Sequence, residues 1–79
     1  MPVVRLFAQA REAAGTSSDV IAGSTVAEVL RGASARFGDG FTEVLSICGV
    51  WVNGEPAEGD APVGDADEVA ILPPVSGGN

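Results

Sequence analysis

"GSTVAEVLRGASARFG" (23–38) is the stretch of this chain with a clear helical signature. Thr25 and Glu28 stand three apart as a capping box, in which the hydroxyl accepts a hydrogen bond from the N–H of the residue three further on. Behind them Val26, Val29, Leu30, Ala33 and Phe37 recur at helical spacing, so one side of the helix is apolar. Gly38 is the natural stop. Gly32 sits inside the helix, where glycine costs about 1 kcal/mol relative to alanine, and it predicts either a neighbour packed close against the backbone or a helix of modest stability. One amphipathic helix covers one face of a sheet. The expected fold class is therefore α+β: a small mixed sheet of four to five strands with one main helix on one face.

Upstream, "VVRLFA" (3–8) alternates with period two, placing Val4, Leu6 and Ala8 on one face and Val3, Arg5 and Phe7 on the other. The face without Arg5 is the expected core. "AQAREAAGTSS" (8–18) reads as a loop with Gly15 as its breaker, and "DVIA" (19–22) as a strand returning beside the first. Downstream, "GDGFTEVLS" (38–46) reads as a loop or a single helical turn whose Phe41 and Leu45 plug the core. In "ICGVWVNGE" (47–55), Cys48, Val50 and Val52 share one face, Gly49 and Trp51 the other, and Asn53-Gly54 predicts a type I′ hairpin turn. Pro56 suits an edge segment. The last strand is "EVAILPP" (68–74), with Val69 and Ile71 on one face and Ala70 and Leu72 on the other. By this alternation Phe7, Trp51 and Leu72 meet on the face that the helix leaves open, as an apolar patch fit for a partner.

Composition narrows the functions. Seventy-nine residues, 46% hydrophobic, make one compact domain. Eleven acidic residues against four arginines, with no lysine or histidine, give a net charge of −7, which repels nucleic acid. Without histidine there is no ordinary Ser-His or Cys-His nucleophile and no imidazole metal ligand, so catalysis by this chain alone is not expected. Asp60, Asp65 and Asp67 do not follow the spacing of a calcium loop, and no metal or cofactor is expected. Cys48 lies in an apolar stretch and reads as a small core residue in a reducing compartment. No segment approaches the roughly 18 apolar residues of a membrane span, and a cytoplasmic location is expected.

The remaining feature is the ending, "DEVAILPPVSGGN" (67–79). With Pro73 and Pro74 ending the strand, residues 1–74 are expected to form the domain and 75–79 a flexible tail. Val75 to Gly78 extend about 13–14 Å when stretched. Gly77 and Gly78, lacking a Cβ, can enter a channel too narrow for other residues and present a carboxylate to a foreign active site.

"LFAQAREAAG" near the start and "DADEVAILPPVSGG" near the end resemble the MoaD family of molybdopterin synthase small subunits, within the MoaD/ThiS group of ubiquitin-like sulfur carriers. "VNGE" and Thr25-Val26 fit the group more loosely. The resemblance spans essentially the whole chain and implies a β-grasp fold. It also implies a chemistry in which an E1-like (MoeB-like) adenylating enzyme uses ATP to convert the terminal glycine carboxylate to an acyl-adenylate. A sulfur donor then makes the thiocarboxylate, and the large (MoaE-like) synthase subunit passes that sulfur to precursor pterin. On this resemblance Gly78 is the acceptor and Gly77 its spacer. Phe7 and Leu72 match interface positions, Trp51 joins them by alternation, Pro73, Pro74, Val75 and Ser76 lead into the partner, and Arg11 is a polar contact. Asn79 departs from the pattern, since the acceptor carboxylate is free only once Asn79 is removed: it marks a precursor trimmed by a peptidase, an appended residue, or a carrier without this chemistry. Carriers for thiamine or cysteine biosynthesis, a ubiquitin-like protein modifier and a plain binding module are the alternatives.

Overall fold

The computed structural model describes residues 1–74; the expected tail, residues 75–79, lies outside the described residues. The elements run β1 (Val3–Leu6), α1 (Ala8–Ala14), β2 (Ser18–Val20), α2 (Val26–Phe37), α3 (Asp39–Leu45), β3 (Gly49–Val52), β4 (Glu55–Pro56) and β5 (Glu68–Leu72). The strands form one sheet in the order β2-β1-β5-β3-β4. The first and last strands, β1 and β5, lie parallel at its centre, and every other neighbouring pair is antiparallel.

Period-two alternation sets the layers. Val4 and Leu6 on β1 and Val69 and Ile71 on β5 are fully buried, together with Val26, Val29 and Ala33 from α2. The intervening residues Arg5 and Phe7 are exposed, and Ala70 and Leu72 only partly covered. On β3, Val50 and Val52 pack on the core while Gly49 and Trp51 face outward. These placements match the alternation read along β1, β3 and β5, Ala8 excepted.

Helix α2 begins and ends where its sequence signals stand. The Glu28 N–H donates to Thr25 Oγ1 at 3.2 Å. The reciprocal half differs from the expected box: the Glu28 carboxylate reaches Ser24, accepting from its N–H at 2.9 Å and its hydroxyl at 3.0 Å. Those bonds hold the Glu28 carboxyl below its ordinary range. Gly38 ends the helix at φ +93°, its N–H donating to the Ser34 carbonyl at 2.9 Å. A Cβ on Gly32 would stand 2.8 Å from Ile21 Cγ2, so the glycine allows Ile21 to close the core against the helix. Arg36 ties the far end of α2 to the sheet edge, donating to the Val20 carbonyl at 2.9 Å and pairing with Asp19 at 3.0 Å.

Two expectations need correction. Residues 8–18 are not a loop throughout, because Ala8–Ala14 form helix α1, which ends at Gly15 with φ +79°. Four of its seven residues are alanine, the strongest helix former, and Ala10 is fully buried. Alanine methyls contribute little to an apolar periodicity, so the helix left a faint trace in the sequence. Ala8 accordingly leaves the core face and starts α1 in the left-handed region at φ +51°. The second correction concerns 39–45, which form a seven-residue helix α3 rather than a loop or single turn. Its Phe41 is fully buried and meets Phe37 edge to face, with ring centroids 5.1 Å apart at 67°. Leu45 packs partly against the same core.

The hairpin between β3 and β4 has positive φ at both Asn53 (51°) and Gly54 (86°), as a type I′ turn requires. Pro56 lies on the edge strand β4, where its missing N–H removes nothing from the sheet. Asp67 ties this turn down, accepting from Asn53 Nδ2 at 2.9 Å and from the Gly64 N–H at 2.7 Å. Cys48 is partly buried, its thiol donates to the Val44 carbonyl at 3.2 Å, and burial pushes its pKa up, away from the reactive thiolate. Among the described residues no helix is long and apolar enough to cross a membrane.

Candidate functional site

The three helices account for one side of the sheet, and the other is a surface of alternate side chains from all five strands. Register places its residues in rows. Arg5 on β1, Ala70 on β5, Trp51 on β3 and Pro56 on β4 stand abreast. In the next row Leu72 pairs with Gly49. Phe7 follows the last paired residue of β1 and is held there by its N–H, which donates to the Ile71 carbonyl at 3.3 Å. Trp51 leans toward this row, since a Cβ on Gly49 would lie 3.7 Å from its indole Nε1. Phe7, Trp51 and Leu72 thus gather at the end of β5 from which the chain departs.

Phe7 is 41% exposed and Trp51 38%. Between them runs a cleft of about 290 Å³ lined by Phe7, Trp51, Gly54, Glu68, Ala70 and Leu72. Burying a large aromatic side chain is worth roughly 1.5–3 kcal/mol, so two such rings in water are a standing incentive to association. Val20, on β2 opposite Val3, extends the apolar surface toward that edge.

Of the other residues expected at the site, Pro73 is partly covered and Pro74 exposed. Arg11 is exposed on α1, one turn from Phe7, whose carbonyl accepts its N–H at 3.3 Å; its guanidinium has no ion-pair partner among the described residues. Val75, Ser76, Gly77, Gly78 and Asn79 lie outside the described residues.

Two neighbours of the patch escaped the sequence reading. Glu68 shares the face with Ala70 and Leu72, which continued alternation along β5 would have told. Ile47, 57% exposed, stands in the turn just before Gly49, at the same end of the sheet. Nothing in the local sequence separates it from a core residue.

A larger hollow of about 580 Å³ lies toward the opposite end of β5, between the β3–β4 hairpin and the segment around Glu58. It is ringed by Glu55, Glu58, Asp60 and Asp67. Asp67 there is committed to the turn bonds described above. The apolar cleft, at the chain's exit, has the better claim on function.

A helix-backed mixed sheet with its first and last strands parallel at the centre, and a bare opposite face ending at the C-terminal exit, is the β-grasp architecture of ubiquitin-like proteins. The ThiS family model matches residues 4–78. The solution structure of small archaeal modifier protein 1 from Methanosarcina acetivorans is similar at 32% identity, over 96% of this chain and 94% of that one, with a TM-score of 0.84. A chain of the BexX/CysO complex from Amycolatopsis orientalis matches at 26% identity, over 99% and 100%, with a TM-score of 0.83. A chain of the complex of subunits 1 and 2 of the molybdopterin-converting factor from Helicobacter pylori matches at 28%, over 96% of each, with a TM-score of 0.70. The chain belongs to the ThiS family, the small ubiquitin-like sulfur carriers.

Proposed function

We propose that this protein is the sulfur-carrying small subunit of a molybdopterin synthase. The observation that carries the reading is the gathering of Phe7, Trp51 and Leu72 at the exit of a chain that continues Pro-Pro-Val-Ser-Gly-Gly. A body that docks beside its own departing end can deliver that end into the docked partner. The likeness to a chain of the Helicobacter pylori molybdopterin-converting factor supports the choice of pathway.

In this reading the Gly78 carboxylate, freed of Asn79, attacks the α-phosphate of ATP held by an E1-like, MoeB-like enzyme and releases pyrophosphate. The sulfur donor attacks the acyl carbon, AMP leaves, and a thiocarboxylate remains. Its sulfur is anionic near neutral pH and attacks the precursor pterin held by the large, MoaE-like subunit. The chain itself supplies no acid or base; Gly77 and Gly78 give passage, Pro73 to Ser76 span the gap, and Arg11 offers a polar contact beside Phe7. ATP is consumed by the partner, and the carrier works in the cytoplasm.

The likeness to small archaeal modifier protein 1 favours a second reading, in which the same activated end is passed to a lysine amine of another protein. One experiment separates them. The form ending at Gly78 is incubated with the adenylating enzyme, ATP and a sulfur source, followed by intact-mass analysis. Exchange of one oxygen for sulfur at Gly78, then its loss on adding large subunit and precursor pterin, is the expected result. Thiocarboxylate on a chain still ending in Asn79, or none on either form, would overturn the proposal. Amide-linked conjugates in its place would establish the modifier.

A further inference from the structure

The turn that joins β3 to β4 holds a reactive pair. Asn53 is the one asparagine that a glycine follows, and an asparagine amide is attacked most readily by a following peptide nitrogen that no side chain screens. Space is free there, since a Cβ on Gly54 would meet nothing within 4 Å. We propose that Asn53 is a modification site, a deamidation locus that the approach to β5 keeps shut and that cannot close again once it has reacted.

The chemistry needs only water. The Gly54 nitrogen, losing its proton to solvent, bonds to Asn53 Cγ; the Cγ–Nδ2 bond breaks, and the amide nitrogen takes up a proton and leaves as ammonia. Water then opens the resulting succinimide ring at either carbonyl, leaving aspartate or isoaspartate. In the fold the amide is held away from that path at both ends. Its Nδ2 donates to Asp67 Oδ1 at 2.9 Å, and its Oδ1 accepts from the Glu68 N–H at 3.0 Å. The Asn53 N–H donates to the Glu68 carbonyl at 2.9 Å, anchoring the backbone beside it. Asp67 is fixed in turn by the Gly64 N–H at 2.7 Å, and the bonds from Asn53 and Gly64 hold its carboxyl below the ordinary range, so it stays an acceptor. The amide cannot turn onto the Gly54 nitrogen without breaking both of its side-chain bonds. Reaction therefore waits on local opening of the hairpin.

The product does not fit the same clasp. A carboxylate at position 53 only accepts, so Asp67 Oδ1 loses its donor and meets a like charge instead. Glu55 and Glu68 flank the turn, and the Arg5 guanidinium is already paired with Glu68. Isoaspartate adds a main-chain atom, for which a two-residue type I′ turn has no place. Either product leaves β4 less firmly held, and the step runs one way.

The test ages the full chain in mildly alkaline buffer, native and in urea, and locates the exchange of NH2 for OH by fragmenting the peptide released on cleavage after Arg36. Conversion at position 53 is expected to run at least about tenfold slower in the native chain than in urea, and Asp67→Ala to speed the native reaction about tenfold. Val29→Ala weakens the core from α2 without touching the clasp, and is expected to leave the native rate within about twofold. An acceleration equal to that of Asp67→Ala would assign the protection to the fold as a whole and overturn the inference. Equal rates in the native chain and in urea, or no acceleration in Asp67→Ala, would do the same. The product is tested directly by Asn53→Asp, which is expected to raise the unfolding constant about tenfold, most of it recovered when Asp67→Asn is added and returns a donor to the clasp. An unchanged unfolding constant in Asn53→Asp would show that the clasp closes on the product, and would refute the one-way step.

Discussion

The two faces of the sheet are built from the same strands yet do opposite things. On β5, Val69 and Ile71 are fully buried, while Ala70 and Leu72, alternating with them, lie half-covered beside Phe7 and Trp51. Nothing in the hydrophobicity of Leu72 and Ile71 tells them apart. What separates them is that α1, α2 and α3 lie on one side and none of the described chain covers the other. The covered face supplies cohesion, and the bare face is the one proposed for association, so truncations on the two should damage different properties.

The covered face should give the largest effect. Phe41→Ala removes a fully buried ring and its edge contact with Phe37, and is expected to cost about 3–5 kcal/mol, enough to unfold much of a domain this small. Urea denaturation followed by Trp51 fluorescence measures it. On the bare face, Phe7→Ala and Trp51→Ala are expected to shift unfolding by less than about 1 kcal/mol but to weaken association with the proposed adenylating partner by about 2 kcal/mol, roughly thirtyfold. Calorimetric titration of each variant sharpens the contrast, and equal losses in both properties would break it.

Smaller effects probe how the covered face is closed. Gly32→Ala would gain about 1 kcal/mol in helix propensity on an exposed helix. Here the new methyl meets Ile21 Cγ2 at 2.8 Å, and Ile21 is buried with little room to move. A net loss of about 1 kcal/mol is expected from overpacking, read as a lowered denaturation midpoint. Ala8→Gly works in the other direction. Ala8 has φ +51°, a region that costs a non-glycine residue roughly 1 kcal/mol, so glycine is expected to raise stability by about that amount. Because Ala8 sets the turn just after Phe7, binding should change little if the Phe7 ring stays in place.

Acid should produce the mildest change. Hydrogen bonds and the Arg36 charge lower the Asp19 carboxyl, and bonds from Asn53 and Gly64 lower that of Asp67. A carboxyl whose folded pKa is depressed stabilises the fold above its unfolded value, and that contribution is lost as pH falls through the folded one. Melting temperature is therefore expected to hold steady from neutral pH to about 5 and to decline below about 4. Asp67→Ala should flatten that decline, as thermal melts across the pH range would reveal.

Much of the architecture was legible because strong local signals agreed with one another. Thr25, Glu28 and Gly38 bracket α2, Asn53-Gly54 turns the hairpin, and period-two alternation assigned Phe7, Trp51 and Leu72 to a shared face. The features that escaped were those whose signal is faint or non-local. Helix α1 is held by alanines too small to mark a period, and the pairing of Glu68 with Arg5 arises from the register of β5 against β1.

The sequence by itself determined the chemistry available to this protein: no lysine, no histidine, a net charge of −7, and a Gly77-Gly78 pair with no side chains of its own. It also settled which residues of each strand alternate, because the pleat follows from backbone geometry alone. Only the tertiary structure decided what stands beside what. Phe7 and Leu72, 65 positions apart in the chain, meet because β1 and β5 pair in parallel at the centre of the sheet. Trp51 leans into the same row because β3 closes antiparallel on the other flank of β5. Such pairings rest on the summed burial of a whole core, which no single stretch of residues encodes.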